Sequence, residues 1–257
     1  MAQSALPLPA ARLGRAVGTA GAQSAVGGVV LLLPDGSADS HRRPSPLSYV
    51  AQLPMARTLA RAAQDDGLAV HVVRYRWRGW HADATDAAPA ADAEWAADEV
   101  VRRYGDVPVC LAGHGMGGRA ALRAAGHPAV TSVLAMAPWL PDDGAAGGDA
   151  EPVRQLVGRR VLMVHGTTDT RVDPELSFRL AARAKKANRD ICRFEVHSDG
   201  HALRQHRSEV VALAGDFVRG SLFGRGYARP VADAFAAPPP LGLRMPLAAG
   251  FGRSLRP

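Results

Sequence analysis

The sequence predicts an α/β protein, a mostly parallel sheet of about six strands with helices on both faces. Three observations carry that expectation. Short runs rich in Val, Leu and Ile recur along the 257 residues. Longer stretches of helical periodicity separate them, and the residues able to do chemistry gather just past the ends of the apolar runs.

The runs are VVLLL from residue 29, AVHVVRY from 69, VPVCLA from 107, TSVLAMA from 131, RVLMVH from 160 and ICRFEVH from 191. Unbroken apolar stretches of this length suit strands buried on both faces. Helical patterns occupy 48–65, 90–104, 117–126, 174–187 and 203–220. The fourth follows DPEL, with Asp173 as its N-cap and Pro174 at the first helical position. Such alternation implies right-handed crossovers, and in sheets of this kind function lies at the carboxyl ends of the strands.

With 47% apolar and 21% charged residues, the composition is that of an ordinary soluble protein, and one domain over 28–223 is expected. Residues 1–27 and 224–257 are rich in Ala, Gly and Pro and are expected to be disordered. No apolar run approaches the roughly 18 residues of a membrane span, and the N-terminus lacks a basic segment followed by an apolar core. A cytoplasmic protein without a membrane partner is the expectation. The net charge of +7 is unevenly spread: +2 in 1–27, +1 in 28–223 and +4 in 224–257. A domain this nearly neutral has no face built for nucleic acid, although the C-terminal tail would make weak, salt-sensitive contacts with a polyanion. Cys110 and Cys192 fall in strands with two others between them, about 14 Å apart at the usual strand spacing, so free thiols are expected.

The stretch VCLAGHGMGGRAAL, residues 109–122, runs from a strand through a Gly-rich turn into a helix. That is the shape of a nucleophile elbow, G-x-S-x-G, with Gly115 at its centre. The other strand ends read PDGSADS, RWRGWH, APWLP, GTTDTRVDP and SDGH. The elbow GHGMGG, the segment HGTTDTRVDP and the DGH before the last helix, in that order, resemble the α/β-hydrolase superfamily over about residues 28–222.

Carried over position by position, the resemblance implies a vacant nucleophile position at Gly115, a triad acid at Asp169 and a base at His201. Oxyanion donors would be the N–H of Met116 and one from the loop near Gly36 or Ser37. PDG stands where such hydrolases commonly read HGG, and Asp35, if turned inward, would oppose negative charge in that hole. Asp142 occupies the other strand end able to supply the acid, and His201 has a plainer reading as a loop histidine. His114 and His165 read as structural residues flanking strand ends. Trp77, Trp80 and Trp139 share the same edge, with Trp80 and Trp139 as pocket walls or as rim packing. Cys110, inside its strand, is a poor nucleophile. The stretch 141–158 is too short for a lid domain, which points to a lid-less, esterase-like member.

An elbow residue is held at a strained angle that costs about 1–3 kcal/mol in a residue with a Cβ, which glycine largely relieves. Three functions stay open: a noncatalytic binding module descended from a serine hydrolase, a hydrolase using water activated by His201 and Asp169, and an ordinary serine hydrolase altered at residue 115. No cofactor or metal is expected. A small-molecule ligand or acyl substrate is the expected partner, and the oligomeric state is left open.

Overall fold

The structure is a computed structural model that describes residues 10–18, 25–38, 40–80, 88–142 and 150–253. Its elements in chain order begin with β1 (Arg12–Leu13), β2 (Val17–Gly18), β3 (Gly28–Leu33), α1 (Pro46–Val50), α2 (Leu53–Ala62) and β4 (Leu68–Arg74). There follow α3 (Ala88–Tyr104), β5 (Val109–His114), α4 (Met116–Arg123), β6 (Val130–Met136), β7 (Arg160–Gly166) and α5 (Pro174–Ala187). The chain closes with β8 (Ile191–Val196), α6 (Arg207–Phe223), α7 (Arg229–Ala236) and β9 (Met245–Pro246).

The six expected strands form the parallel body of the sheet, in the order β4-β3-β5-β6-β7-β8. Three two-residue strands at the edges bring the described total to nine. Strand β3 is buried along its whole length, and the sheet's two faces pack into two separate apolar clusters. Val29, Leu31 and Leu33 point to one face and Val30 and Leu32 to the other, which is why the run shows no alternation. Cys110 on β5 and Cys192 on β8 are separated by β6 and β7, and both are buried free thiols.

Three features differ from the sequence-based expectation. The helical pattern at 48–65 splits into α1 and α2, because Pro54 near the start of α2 has no N–H to continue the earlier helix. The N-terminal segment, expected to be unstructured, contributes β1 and β2, which pair antiparallel with the outer edge of β4. Backbone hydrogen bonds to an open strand edge need no apolar periodicity, so composition carried no sign of them. Residues 1–9 and 19–24 of that segment lie outside the described residues, as do 143–149 of the stretch read as too short for a lid.

The C-terminal segment is likewise ordered through residue 253. Helix α7 buries Val231 and Ala234, Leu243 is fully buried, and β9 pairs parallel with β8. Phe235 stacks at 6.4 Å on Phe217 of α6 and meets the Tyr227 ring, tilted, at 5.3 Å. A few well-placed apolar residues in an Ala/Pro-rich stretch suffice to cover an exposed strand edge.

Candidate functional site

Strand β5 ends in His114, and Gly115 turns the chain into α4 with φ 55° and ψ −119°. The turn is tight on every side. A Cβ on Gly113 would lie 2.1 Å from the Gly117 carbonyl oxygen, and one on Gly117 would lie 2.0 Å from that of Leu33. The glycines therefore let β5, α4 and the end of β3 approach closely enough to aim the first N–H of α4 at the sheet's carboxyl edge.

That N–H is already engaged. Asp35, in the loop after β3, turns inward, and its Oδ1 accepts from Met116 N at 2.9 Å and from Gly36 N at 2.8 Å. These are two of the three donors expected to form the oxyanion hole. The third, Ser37, instead donates its N–H to the Arg78 carbonyl at 3.1 Å. A Cβ on Gly115 would lie 2.2 Å from Asp35 Oδ1, so the carboxylate also fills the space a side chain at the elbow would enter. Burial alone would raise the Asp35 pKa. His201, the two backbone N–H groups and nearby His114 outweigh burial and hold it at about 2.

His201 faces the other oxygen, with Nε2 3.9 Å from Asp35 Oδ2, an ion-pair distance rather than a hydrogen bond. Its Nδ1 lies 2.8 Å from Asp169 Oδ2. Burial lowers the His201 pKa, but the two carboxylates together outweigh it and raise the value above 6.5. Asp169 Oδ1 accepts from the N–H groups of Arg171 (2.8 Å) and Val172 (3.1 Å).

Behind Asp169 lies a buried chain that sequence reading missed. Arg193 Nε donates to Ser177 Oγ (2.9 Å), Ser177 meets His165 Nδ1 (2.8 Å), and His165 Nε2 meets Asp169 Oδ2 (3.1 Å). Burial, aided by the Arg193 charge, depresses the His165 pKa to about 4. A neutral imidazole protonated on Nε2 donates to Asp169, and its Nδ1 then competes with the Pro174 carbonyl, 2.8 Å from Ser177 Oγ, for the one hydroxyl proton of Ser177. His165 is thus structural, as expected, and fixes the acid. No motif marks this chain, because its members come from β7, α5 and β8.

The loop carrying His201 is shaped by Asp199, whose carboxylate accepts from the N–H groups of Gly200, Arg204 and His206 at 2.9–3.1 Å. Ser198 and Leu203 take left-handed angles, φ 59° and 48°, on either side of the histidine. Strain flanking one aimed side chain indicates that the surroundings dictate its position.

Several expected members are elsewhere. Asp142 is exposed and pairs with Arg179 at 3.3 Å, away from His201. Trp80 is 3% exposed and Trp139 half-buried; their rings meet edge-on, and the Arg119 guanidinium lies 4.1 Å from one ring centre and 5.1 Å from the other. Arg119 in turn pairs with buried Glu151 at 2.8 Å. The two indoles pack against a buried cation. Asp35, His114 and His201 each offer a ligand atom within 4.8 Å of the others. Of these, Asp35 Oδ1 is taken by two N–H groups and His114 Nε2 contacts the His201 carbonyl at 2.7 Å.

No protein-family model and no curated protein matches the chain. Solved structures do. An esterase of Pyrococcus furiosus superposes with a TM-score of 0.58 at 14% identity, over 77% of this chain and 84% of that one. A Pyrobaculum calidifontis esterase gives 0.58 at 15%, over 83% and 86%. An α/β serine hydrolase without a lid, from Xanthomonas campestris, gives 0.57 at 16%, over 84% and 90%. The fold is the α/β-hydrolase fold. No described helix is long and apolar enough to cross a membrane.

Proposed function

We propose that this chain is an α/β-hydrolase-fold protein descended from a serine, esterase-like hydrolase, and that serine acyl transfer has been given up. One observation carries the reading: Asp35 Oδ1 occupies the two N–H donors at which a tetrahedral oxyanion would form, above a glycine that offers no nucleophile. A hole built to stabilise developing negative charge stabilises this chain's own carboxylate instead. An incoming ester carbonyl would have to displace Asp35 and forfeit both hydrogen bonds.

Activation of water by His201 is the weaker alternative. A base works best unprotonated near the working pH, and two flanking carboxylates favour the imidazolium. The retained pairing of His201 with Asp169 supports descent from a working hydrolase, and the esterase neighbours make a small acyl compound the ligand class to try first.

The test is a panel of short acyl esters with the native chain, Gly115→Ser, and Gly115→Ser combined with Asp35→Gly. A serine-directed phosphonate should leave the native chain unlabelled, and the double variant should hydrolyse esters where the native chain does not. Ester turnover by the native chain, or phosphonate labelling at Ser37, would overturn the proposal.

A further inference from the structure

We propose that a cavity beside Asp35 binds a small polyanion, a molecule carrying two or more phosphate or carboxylate groups. The cavity has a volume of about 960 Å³, within the range of small-molecule sites. Five arginines line it, Arg12, Arg43, Arg74, Arg76 and Arg78, against a single carboxylate, Asp35.

Only part of the imbalance is cancelled nearby. Arg76 is committed to buried Asp92, which accepts both its backbone N–H, at 2.7 Å, and its Nε. Arg74 lays its guanidinium 4.0 Å over the Tyr49 ring, which occupies one face and leaves the N–H edge to point elsewhere. Arg12, Arg43 and Arg78 have no ion pair among the described residues. The hydroxyl of Tyr75, another lining residue, is buried and finds no hydrogen-bond partner there.

Placement matters as much as number. Residues 28–223 carry a net charge of only +1, yet four of their arginines converge on one concavity, where low-dielectric walls concentrate the field. Arg74, Arg76 and Arg78 form an i, i+2, i+4 series leaving β4. Arg12 is brought in by β1, and Arg43 by the turn before α1. No lysine is among the lining residues, and planar guanidinium forks suit phosphate and carboxylate oxygens better than a point charge does. A concavity of this volume accommodates a compact anion. Because Asp35 and Gly36 belong to its wall, a bound anion would lie next to the His201 cluster.

The inference does not rest on the reading of Gly115, since binding is measured without turnover. The full chain is titrated calorimetrically with inorganic pyrophosphate and, separately, with citrate at constant ionic strength, beside the Arg43→Gln/Arg78→Gln variant. Both side chains are exposed and unpaired among the described residues, so the variant should melt at the temperature of the native chain. Saturable one-to-one binding of either anion, weakened about tenfold or more in the variant, is expected. A preference for pyrophosphate assigns the phosphate class, and the reverse assigns the carboxylate class. Absence of saturable binding by both anions, equal binding by the variant, or tighter binding of a duplex oligonucleotide would overturn the proposal.

Discussion

The two halves of the sheet's carboxyl edge around His201 differ in how they are held. On the Asp169 side every polar group has a partner: Asp169 is fixed by two backbone N–H groups, His201 and His165, and His165 by Ser177 and Arg193. On the Gly115 side the turn carries no side chain, and the N–H groups of Met116 and Gly36 are occupied by Asp35. The first half persists as a structural network whether or not it is used. A buried carboxylate with several dependants cannot be removed cheaply, whereas a side chain at the positive-φ elbow can be replaced by glycine with a gain in backbone ease.

The largest effect that would sharpen this contrast is catalytic. Ester hydrolysis by Gly115→Ser/Asp35→Gly should exceed that of Gly115→Ser by about 10²–10³, the usual worth of a cleared oxyanion donor. Equal rates in the two variants would break the comparison, because they would mean that Asp35 does not block the hole.

Next comes stability on the intact side. Asp169→Ala should cost about 3–5 kcal/mol in a urea melt, because it strands two imidazoles and two N–H groups in a buried setting. A cost below about 1 kcal/mol would show the network to be slack.

On the altered side, Gly115→Ala should cost about 1–3 kcal/mol from the backbone angle, plus the clash with Asp35. In a double-mutant cycle with Asp35→Gly, the alanine should cost less by about 0.5–3 kcal/mol. Simple additivity would place Asp35 away from the elbow.

The smallest effect is a titration. Followed by NMR, the His201 pKa should lie above the ordinary imidazole value in the native chain, where two carboxylates face the ring, and should fall in Asp35→Asn. Because it is raised, stability from this ion pair is present below the ordinary imidazole pKa and lost as pH rises through the higher, folded-state value. Asp35 has the opposite sign. Its pKa is depressed, so its contribution is present above the ordinary carboxylate range and lost as pH falls toward about 2.

By itself the sequence determined the parallel body of the sheet, the elbow at Gly115, the N-cap at Asp173 and the meeting of His201 with Asp169. Each of these is written in local patterns: apolar runs too continuous for a half-exposed strand, a Gly-rich turn, a proline after a capping aspartate, and strand-end motifs in a telling order. Tertiary structure alone decided which way Asp35 points, that Ser37 bonds Arg78 and leaves the hole, that Trp80 and Trp139 clamp Arg119, and that the terminal segments cover the sheet's two edges. It also gathered arginines from β1, the turn before α1 and the end of β4 around one cavity. The physical reason is common to all of these. A strand or a turn is set by neighbours a few residues away, but the partner of a side chain or an open strand edge is whatever the fold brings within about 3–4 Å of it, from segments whose spacing in sequence carries no period to read.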